Sequence, residues 1–235
     1  MDPGLRRDDG PLLIGVPHAI VRAMQNKHLK RQLARRAGPP QQVRIIGGAW
    51  KRTQLPVPDA LGLRPTPDRV RETAFNWINH QLPGDWETAD CLDLFAGSGA
   101  LGFEAASRGA RSVTMIDTHP SVIHQLELNK EKLKATNVQV LRADALTAAR
   151  NLALRGQRFD LVFLDPPYQQ DFLSQTLPLC KTLLKEGGLV YAESGEALPF
   201  EEADVPDWLS GWEMVRADKA GMVHYHLLKL HENKA

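Results

Sequence analysis

The sequence predicts an α/β protein: a mostly parallel sheet covered by helices on both faces and closed at one edge by an antiparallel pair. Three observations carry this. The apolar runs CLDLFA, SVTMID, VQVLRAD, FDLVFLD and GLVYAES alternate with segments of helical character, and continuous apolar strands between helices belong to a sheet buried on both sides. The last two runs, WEMVRADK and MVHYHLLKL, flank Ala220-Gly221 with no helix between them, so they pair antiparallel. At 235 residues and 43% hydrophobic composition, the chain suits one large domain with an appendage better than two equal domains.

From the amino end, MDPGLRRDDG mixes Pro, Gly and clustered charge without hydrophobic period and is expected to lack regular structure. It also reads as translated intergenic sequence, so the functional start is expected further on. Residues 18–36 have the composition of a short basic helix that stops before Gly38-Pro39-Pro40. Residues 1–44 hold nine Lys or Arg against three acids, a net +6 that the overall +1 conceals. A basic extension over residues 1–42 suits a polyanionic partner, and it suits a solvated tail equally well.

VRIIGGAWKRTQLPVP reads as two short strands with their turn at Gly47-Gly48, the second ended by Pro56 and Pro58. In LGLRPTPDRVRETAFNWINH, Pro67 and Asp68 open a helix whose apolar positions Val70, Ala74, Phe75, Trp77 and Ile78 follow a helical period. Residues 43–82 thus form a small cap beside a main domain over 83–235. There, helices are expected at 100–108, 120–135, 145–154 and 171–184. Cys91 and Cys180 sit far apart in apolar runs, the pattern of buried free thiols in a reducing compartment. No apolar run approaches the roughly 18 residues of a membrane span, and LLIGV at 12–16 lacks a signal-cleavage pattern, so the expected location is the cytoplasm. His224 and His226 alternate on a strand; without a third ligand they are expected to face solvent, and no metal is expected.

Two stretches carry chemistry. ADCLDLFAGSGALGFEA places Gly97, Gly99 and Gly102 between a strand and a helix, and Asp117 follows Gly97 by 20 residues at the end of the next strand, where an acid can bind ribose hydroxyls. Such a turn serves dinucleotides too, and it can exist for packing alone. Asp93, inside the first strand, argues for something else: a buried carboxylate is costly unless it meets a cation or N–H donors. S-adenosylmethionine offers an ammonium and a sulfonium there, and Asp144 at the end of the third strand is placed to accept from an adenine amino group.

The second stretch is Asp165-Pro166-Pro167-Tyr168, closing the fourth strand at the edge where open parallel sheets bind ligands. An exocyclic base amino group is a poor nucleophile because its lone pair is delocalised. Hydrogen bonds to the Asp165 carboxylate and the Pro166 carbonyl favour pyramidal nitrogen, the prolines fix the backbone, and Tyr168 offers a stacking face. This is orientation plus electrostatics, acting on a base that has left its stack.

With RIIGGAWKRTQLPVP, GLRPTPDRVRETAFNW, CLDLFAGSGALGFEA, FLDPPY and KAGMVHYHLLKL in hand, the chain from about Arg44 to Leu230 resembles the bacterial 16S ribosomal RNA guanine-N2 methyltransferase family, the RsmD type. The resemblance implies a class I, Rossmann-like methyltransferase fold with a seven-stranded sheet. It implies S-adenosylmethionine as donor and one guanine of 16S RNA as acceptor, in the small subunit or a late assembly intermediate. It makes Asp93, Phe95, Gly97, Gly99, Asp117, Asp144 and Ala145 cofactor contacts and Asp165 to Tyr168 the catalytic loop. The family often has Glu where Asp117 stands, and residues 1–42 have no clear counterpart.

Arg44, Lys51, Arg52, Arg64, Arg69 and Arg71 cluster in the cap and are the expected RNA grip, with scattered surface charge as the competing explanation. Arg69 and Arg71 stand two apart on a helix and cannot both face one partner well. A monomer is expected. Three other functions stay open on the residues: an amino-methyltransferase for DNA adenine or cytosine, a nicotinamide-dependent oxidoreductase, and a non-catalytic RNA chaperone. The first lacks a target-recognition domain, the second leaves Asp93 and the proline loop unexplained, and the third leaves both motifs idle.

Overall fold

The computed structural model describes residues 42–57, 66–82, 84–167, 171–201 and 205–231; expectations for residues 1–41, Arg64 and Tyr168 lie outside them. The cap hairpin pairs β1 (Gln42–Arg44) with β2 (Gln54–Pro56), and α1 (Asp68–Gln81) follows. β3 (Asp90–Asp93), α2 (Ala100–Ser107), β4 (Ser112–Asp117), α3 (Pro120–Leu133), β5 (Val138–Arg142), α4 (Ala145–Leu154), β6 (Phe159–Leu164), α5 (Phe172–Cys180) and β7 (Leu184–Ser194) then alternate. β8 (Trp212–Ala220) and β9 (Val223–Leu230) end the described chain. The sheet runs β5-β4-β3-β6-β7-β9-β8, parallel through β7 and antiparallel at β9 and β8.

Alternating residues of each strand divide between two cores, as the pleat requires. On one face Cys91, Val113, Met115, Leu161, Phe163, Tyr191 and Leu227 pack with the apolar sides of α1, α2 and α3. On the other, Leu92, Ile116, Val162, Leu164, Val190 and Leu228 pack with α4 and α5. Cys91 and Cys180 belong to these opposite faces, buried and free, and burial pushes the Cys180 thiol up to about 12.

The cap shares the first core: Val43, Ile45, Leu55 and Val57 of the hairpin join Val70, Ala74, Phe75 and Ile78 of α1 in it. Polar contacts add direction. Glu104 of α2 is fully buried, and its two carboxylate oxygens accept the Ile46 and Gly47 N–H groups at 2.7 and 2.8 Å. The last carbonyl of α2, which no helical N–H can reach, accepts from Ala49 at 2.6 Å. Gly48 makes this approach possible, because a Cβ there would lie 1.8 Å from the Ser107 carbonyl oxygen and its φ is +72°.

Three expectations change. The hairpin does not reverse at Gly47-Gly48 alone; the tight turn runs from Gly48 to Lys51, since the glycines are committed to docking on α2. The helix expected to reach residue 184 stops at Cys180; residues 181–183 turn, the Leu183 carbonyl accepts the Phe159 N–H at 2.7 Å, and β7 starts at Leu184. His226 is not solvent-facing. It is 1% exposed, its Nε2 accepts from Leu198 N–H, its Nδ1 lies 3.4 Å from the Ala192 carbonyl, and burial lowers its pKa to about 4. His224 beside it is half-buried. Among the described residues no helix is long and apolar enough to cross a membrane, and no group of three or more His, Cys, Asp or Glu is placed to hold a metal ion.

Candidate active site

β3 and β6 lie side by side in parallel, with Asp93 opposite Phe163, yet the helices that follow them cover opposite faces of the sheet. A crevice therefore opens outside their carboxyl ends, where the chain leaves in two directions. Both stretches singled out in the sequence start there.

After β3 the chain turns through residues 94–99 into α2. Leu94 donates to Phe163 O, Ala96 to Ile116 O at 2.9 Å, and Gly99 to Ala96 O at 2.7 Å, so the turn is tied to strands on both sides. Gly99 is the N-cap with φ +80°, and a Cβ on it would stand 2.6 Å from the Phe103 ring. Asp117 at the end of β4 accepts from Gly97 N–H at 3.0 Å with one oxygen and from His119 N–H at 2.8 Å with the other. It is half-buried, so its outer lone pairs stay accessible. Asp144, exposed, caps α4 by accepting from Thr147 N–H at 2.9 Å, and Ala145 behind it is buried. The Phe95 ring is half-buried and packs 5.3 Å from that of Phe172.

The carboxylates at this edge have unusual surroundings. Asp93 is 1% exposed and accepts from Phe95 N–H at 3.3 Å. Burial raises its pKa to about 7, against the pull of the Phe95 and Gly102 N–H groups, with Asp117 and Glu193 adding repulsion. Burial and then the charges of Glu193 and Asp93 push Asp165 well above the ordinary carboxylate range. Among the described residues, no Lys, Arg or His forms an ion pair with either. Pro166 beside Asp165 is buried and Pro167 exposed.

Three residues absent from the sequence reading stand here. Glu193, near the end of β7 and 1% exposed, accepts from Tyr191 OH at 2.8 Å and from Thr66 Oγ1 at 2.9 Å. The Thr66 hydroxyl also lies 3.4 Å from Asp165 Oδ2, so a residue of the cap bridges two acids of the main domain. Glu193 had a signal in sequence, an acid inside the apolar run GLVYAES, the same feature that singled out Asp93. Thr66 had none beyond lying in the RPTPDR stretch.

The basic residues of the cap divide. Lys51, Arg52 and Arg69 are exposed. Arg44 pairs with Asp68 at 2.6 Å and keeps 56% of its side chain accessible. Arg71 is not available to RNA: fully buried, it donates to Thr66 O, Arg44 O and Asp68 Oδ1 at 3.2, 2.8 and 2.7 Å, with its remaining terminal nitrogen 3.7 Å from Glu104 Oε2. The helical period that buries Val70, Ala74 and Ile78 turns Arg71 inward with them, where its charge is matched by Asp68 and Glu104.

Over residues 43–229 the chain matches the family described as Conserved hypothetical protein 95. It is 43% identical over 190 residues to Ribosomal RNA small subunit methyltransferase D of Escherichia coli K12, covering 79% of this chain and 89% of that protein. The protein of the same name from Haemophilus influenzae is 37% identical, with 79% of this chain and 93% of that protein covered. The solved structure of yhhF from Escherichia coli is 41% identical and superposes with a TM-score of 0.68 over 81% of this chain and 98% of that one. At 19% identity and a TM-score of 0.52, a SAM-dependent methyltransferase from Agrobacterium tumefaciens shares the fold, over 68% of this chain and 54% of that one. The matched span takes in the cap as well as the sheet, and the chain belongs to the ribosomal RNA small subunit methyltransferase D family.

Proposed function

We propose that this protein transfers a methyl group from S-adenosylmethionine to the exocyclic N2 amino group of one guanine in 16S ribosomal RNA, acting as a cytoplasmic monomer on the small subunit or a late assembly intermediate. The observation that carries the reading is the pair of adjacent strand ends: a buried carboxylate with no ion pair among the described residues at Asp93, and Asp165-Pro166 beside it just past β6. The relatives named for ribosomal RNA methylation supply the substrate class.

The residues present fit the donor. Burial raises Asp93 to about 7, with Asp117 and Glu193 adding repulsion, and an ammonium would supply a counter-charge to its ionised form. Asp117 has lone pairs for ribose hydroxyls and Asp144 for an adenine amino group, and Phe95 and Ala145 are assigned to the same cofactor site from sequence. The cofactor supplies a methyl group already activated by a sulfonium, so the protein contributes position and charge. Asp165 and the Pro166 carbonyl accept the two N–H bonds of the amino group and hold its nitrogen in line. As the N–C bond forms and the C–S bond breaks, the nitrogen loses a proton, for which the Asp165 carboxylate is the acceptor. Tyr168 is assigned the stacking face on sequence grounds. Arg44, Lys51, Arg52 and Arg69 hold phosphates, with Arg64 assigned to the same grip from sequence.

The test uses small subunits purified from a strain lacking this gene, labelled S-adenosylmethionine and the full chain, with methylated nucleosides mapped afterwards. A single new N2-methylguanosine is expected. Label appearing instead on DNA adenine or cytosine, or calorimetric binding of NAD without S-adenosylmethionine, overturns the reading.

A further inference from the structure

Thr66 enters the site from a segment remote in sequence from both acids it meets. Its hydroxyl reaches Glu193 Oε1 at 2.9 Å and Asp165 Oδ2 at 3.4 Å with one hydrogen to donate; with that hydrogen on the nearer Glu193, its oxygen can accept from Asp165 once Asp165 is protonated. Glu193 continues the chain inward to Tyr191 OH at 2.8 Å. Both Thr66 and Glu193 are buried, at 5% and 1% exposure. Their alignment is not incidental to the cap, because Arg71 Nε holds the Thr66 carbonyl while Arg71 Nη2 holds the Arg44 carbonyl of β1.

From this geometry we infer that Thr66 and Glu193 are positioning residues that form a proton relay behind Asp165. The inference rests on the amino-methylation reading above. On methyl transfer the amino nitrogen releases one proton to Asp165. The Thr66 oxygen accepts that proton as its own hydrogen passes to the Glu193 carboxylate, so the hydroxyl is unchanged and Asp165 returns to its ionised state. One proton leaves the nitrogen and one arrives on Glu193; no other reactant is needed. Glu193 has a second effect, since its charge beside Asp165 makes that carboxylate hold a proton more tightly and so act as a stronger base. The titratable groups facing Asp165 are Asp93 from β3 and Glu193 and Tyr191 from β7, with the Thr66 hydroxyl from the cap.

The experiment compares wild type, Thr66→Val, Thr66→Ser and Glu193→Gln as full chains on small subunits from the deletion strain. Thr66→Val is expected to lower kcat by about ten- to a hundredfold, with KM for the subunit and affinity for S-adenosylmethionine within about twofold. Thr66→Ser, which keeps the hydroxyl, is expected to restore kcat to within about threefold of wild type. In Glu193→Gln the acid limb of the kcat profile moves to lower pH with a reduced plateau. A second measurement needs no substrate: the Asp165 carboxyl carbon, followed by NMR in the ligand-free protein, titrates at lower pH in Glu193→Gln than in wild type. Wild-type kcat in Thr66→Val, equal loss in Thr66→Val and Thr66→Ser, or an unmoved Asp165 titration overturns the relay while leaving amino methylation intact. A wild-type protein that transfers no methyl group to a base amino nitrogen overturns both.

Discussion

Asp90 and Asp93 stand at opposite ends of the same four-residue strand, and their carboxylates have opposite fates. Burial alone would raise the Asp90 pKa, but hydrogen bonds from Arg111, Lys185 and Ser112 overcome it and hold the group well below the usual carboxylate range. Lys185 Nζ lies 2.9 Å from Asp90 and 2.6 Å from Asp160, and Arg111 grips Asp90 with two nitrogens, so the end where β3 and β6 begin is an ion-paired network. At the end where they finish, Asp93 and Asp165 are given N–H and O–H donors but no ion pair among the described residues, and burial raises both. Cancelled charge at one end serves the scaffold. Uncancelled charge at the other costs stability and is retained where a ligand completes it.

The strongest way to break this contrast is to remove Asp165. Asp165→Ala is expected to lower kcat for methyl transfer by about a thousandfold, while calorimetry finds S-adenosylmethionine affinity within a few fold of wild type. Activity equal to wild type would sink the assigned role.

Next in size is the pH dependence of Asp93. Its folded pKa, about 7, lies above the ordinary value of 3.8, so the folded, ligand-free protein binds the proton more tightly than the unfolded chain. Stability from this group is therefore greatest at low pH and lost as pH rises toward 7, by at most about 4 kcal/mol. Ligand binding has the opposite sign, since a cation needs the ionised carboxylate. Affinity for S-adenosylmethionine should weaken by up to about tenfold per unit as pH falls below 7, and Asp93→Asn should bind weakly with a flat profile. Titration calorimetry across pH checks both.

At the other end the sign reverses. Asp90 is depressed, so its contribution is present above the ordinary carboxylate pKa and lost as pH falls below it. Asp90→Asn is expected to cost about 2 kcal/mol in denaturant unfolding at neutral pH, with S-adenosylmethionine affinity unchanged. A change in affinity without a change in stability would erase the distinction between the two ends. Smallest is the exposed cap charge: Lys51→Ala with Arg52→Ala should leave stability alone, weaken subunit binding a few fold, and reduce its salt dependence by a slope of about 1.5.

Much of the architecture was legible because it depends on local pattern. The apolar runs, the glycine turn and the hairpin of β8 and β9 follow from period and punctuation within a few residues, and each element lies where the sequence puts it to within a few positions. The helix expected to reach residue 184 ended early because a sheet partner, Phe159, competes for the backbone of Leu183. Arg71 illustrates the limit for side chains. Its type marks it as a phosphate ligand, yet the helical face it shares with Val70 and Ala74 puts it in the interior, where Asp68 and the Thr66 and Arg44 carbonyls accept its hydrogen bonds and Glu104 lies 3.7 Å from its remaining nitrogen. His226 was misplaced for a related reason: alternation along a strand cannot say whether the second face is covered, and here residues 197–199 lie over it.

The sequence by itself determined the order of strands and helices, the turn that follows β3 and the position of Asp165-Pro166-Pro167 at a strand end, because these rest on hydrophobic period and on backbone restrictions of Gly and Pro. The tertiary structure alone decided which carboxylates meet cations among the described residues, and that Thr66 of the cap joins Glu193, 127 residues away, and Asp165, 99 residues away. Electrostatic energy depends on distance in space and on exclusion of water, and neither is set until remote segments have packed together.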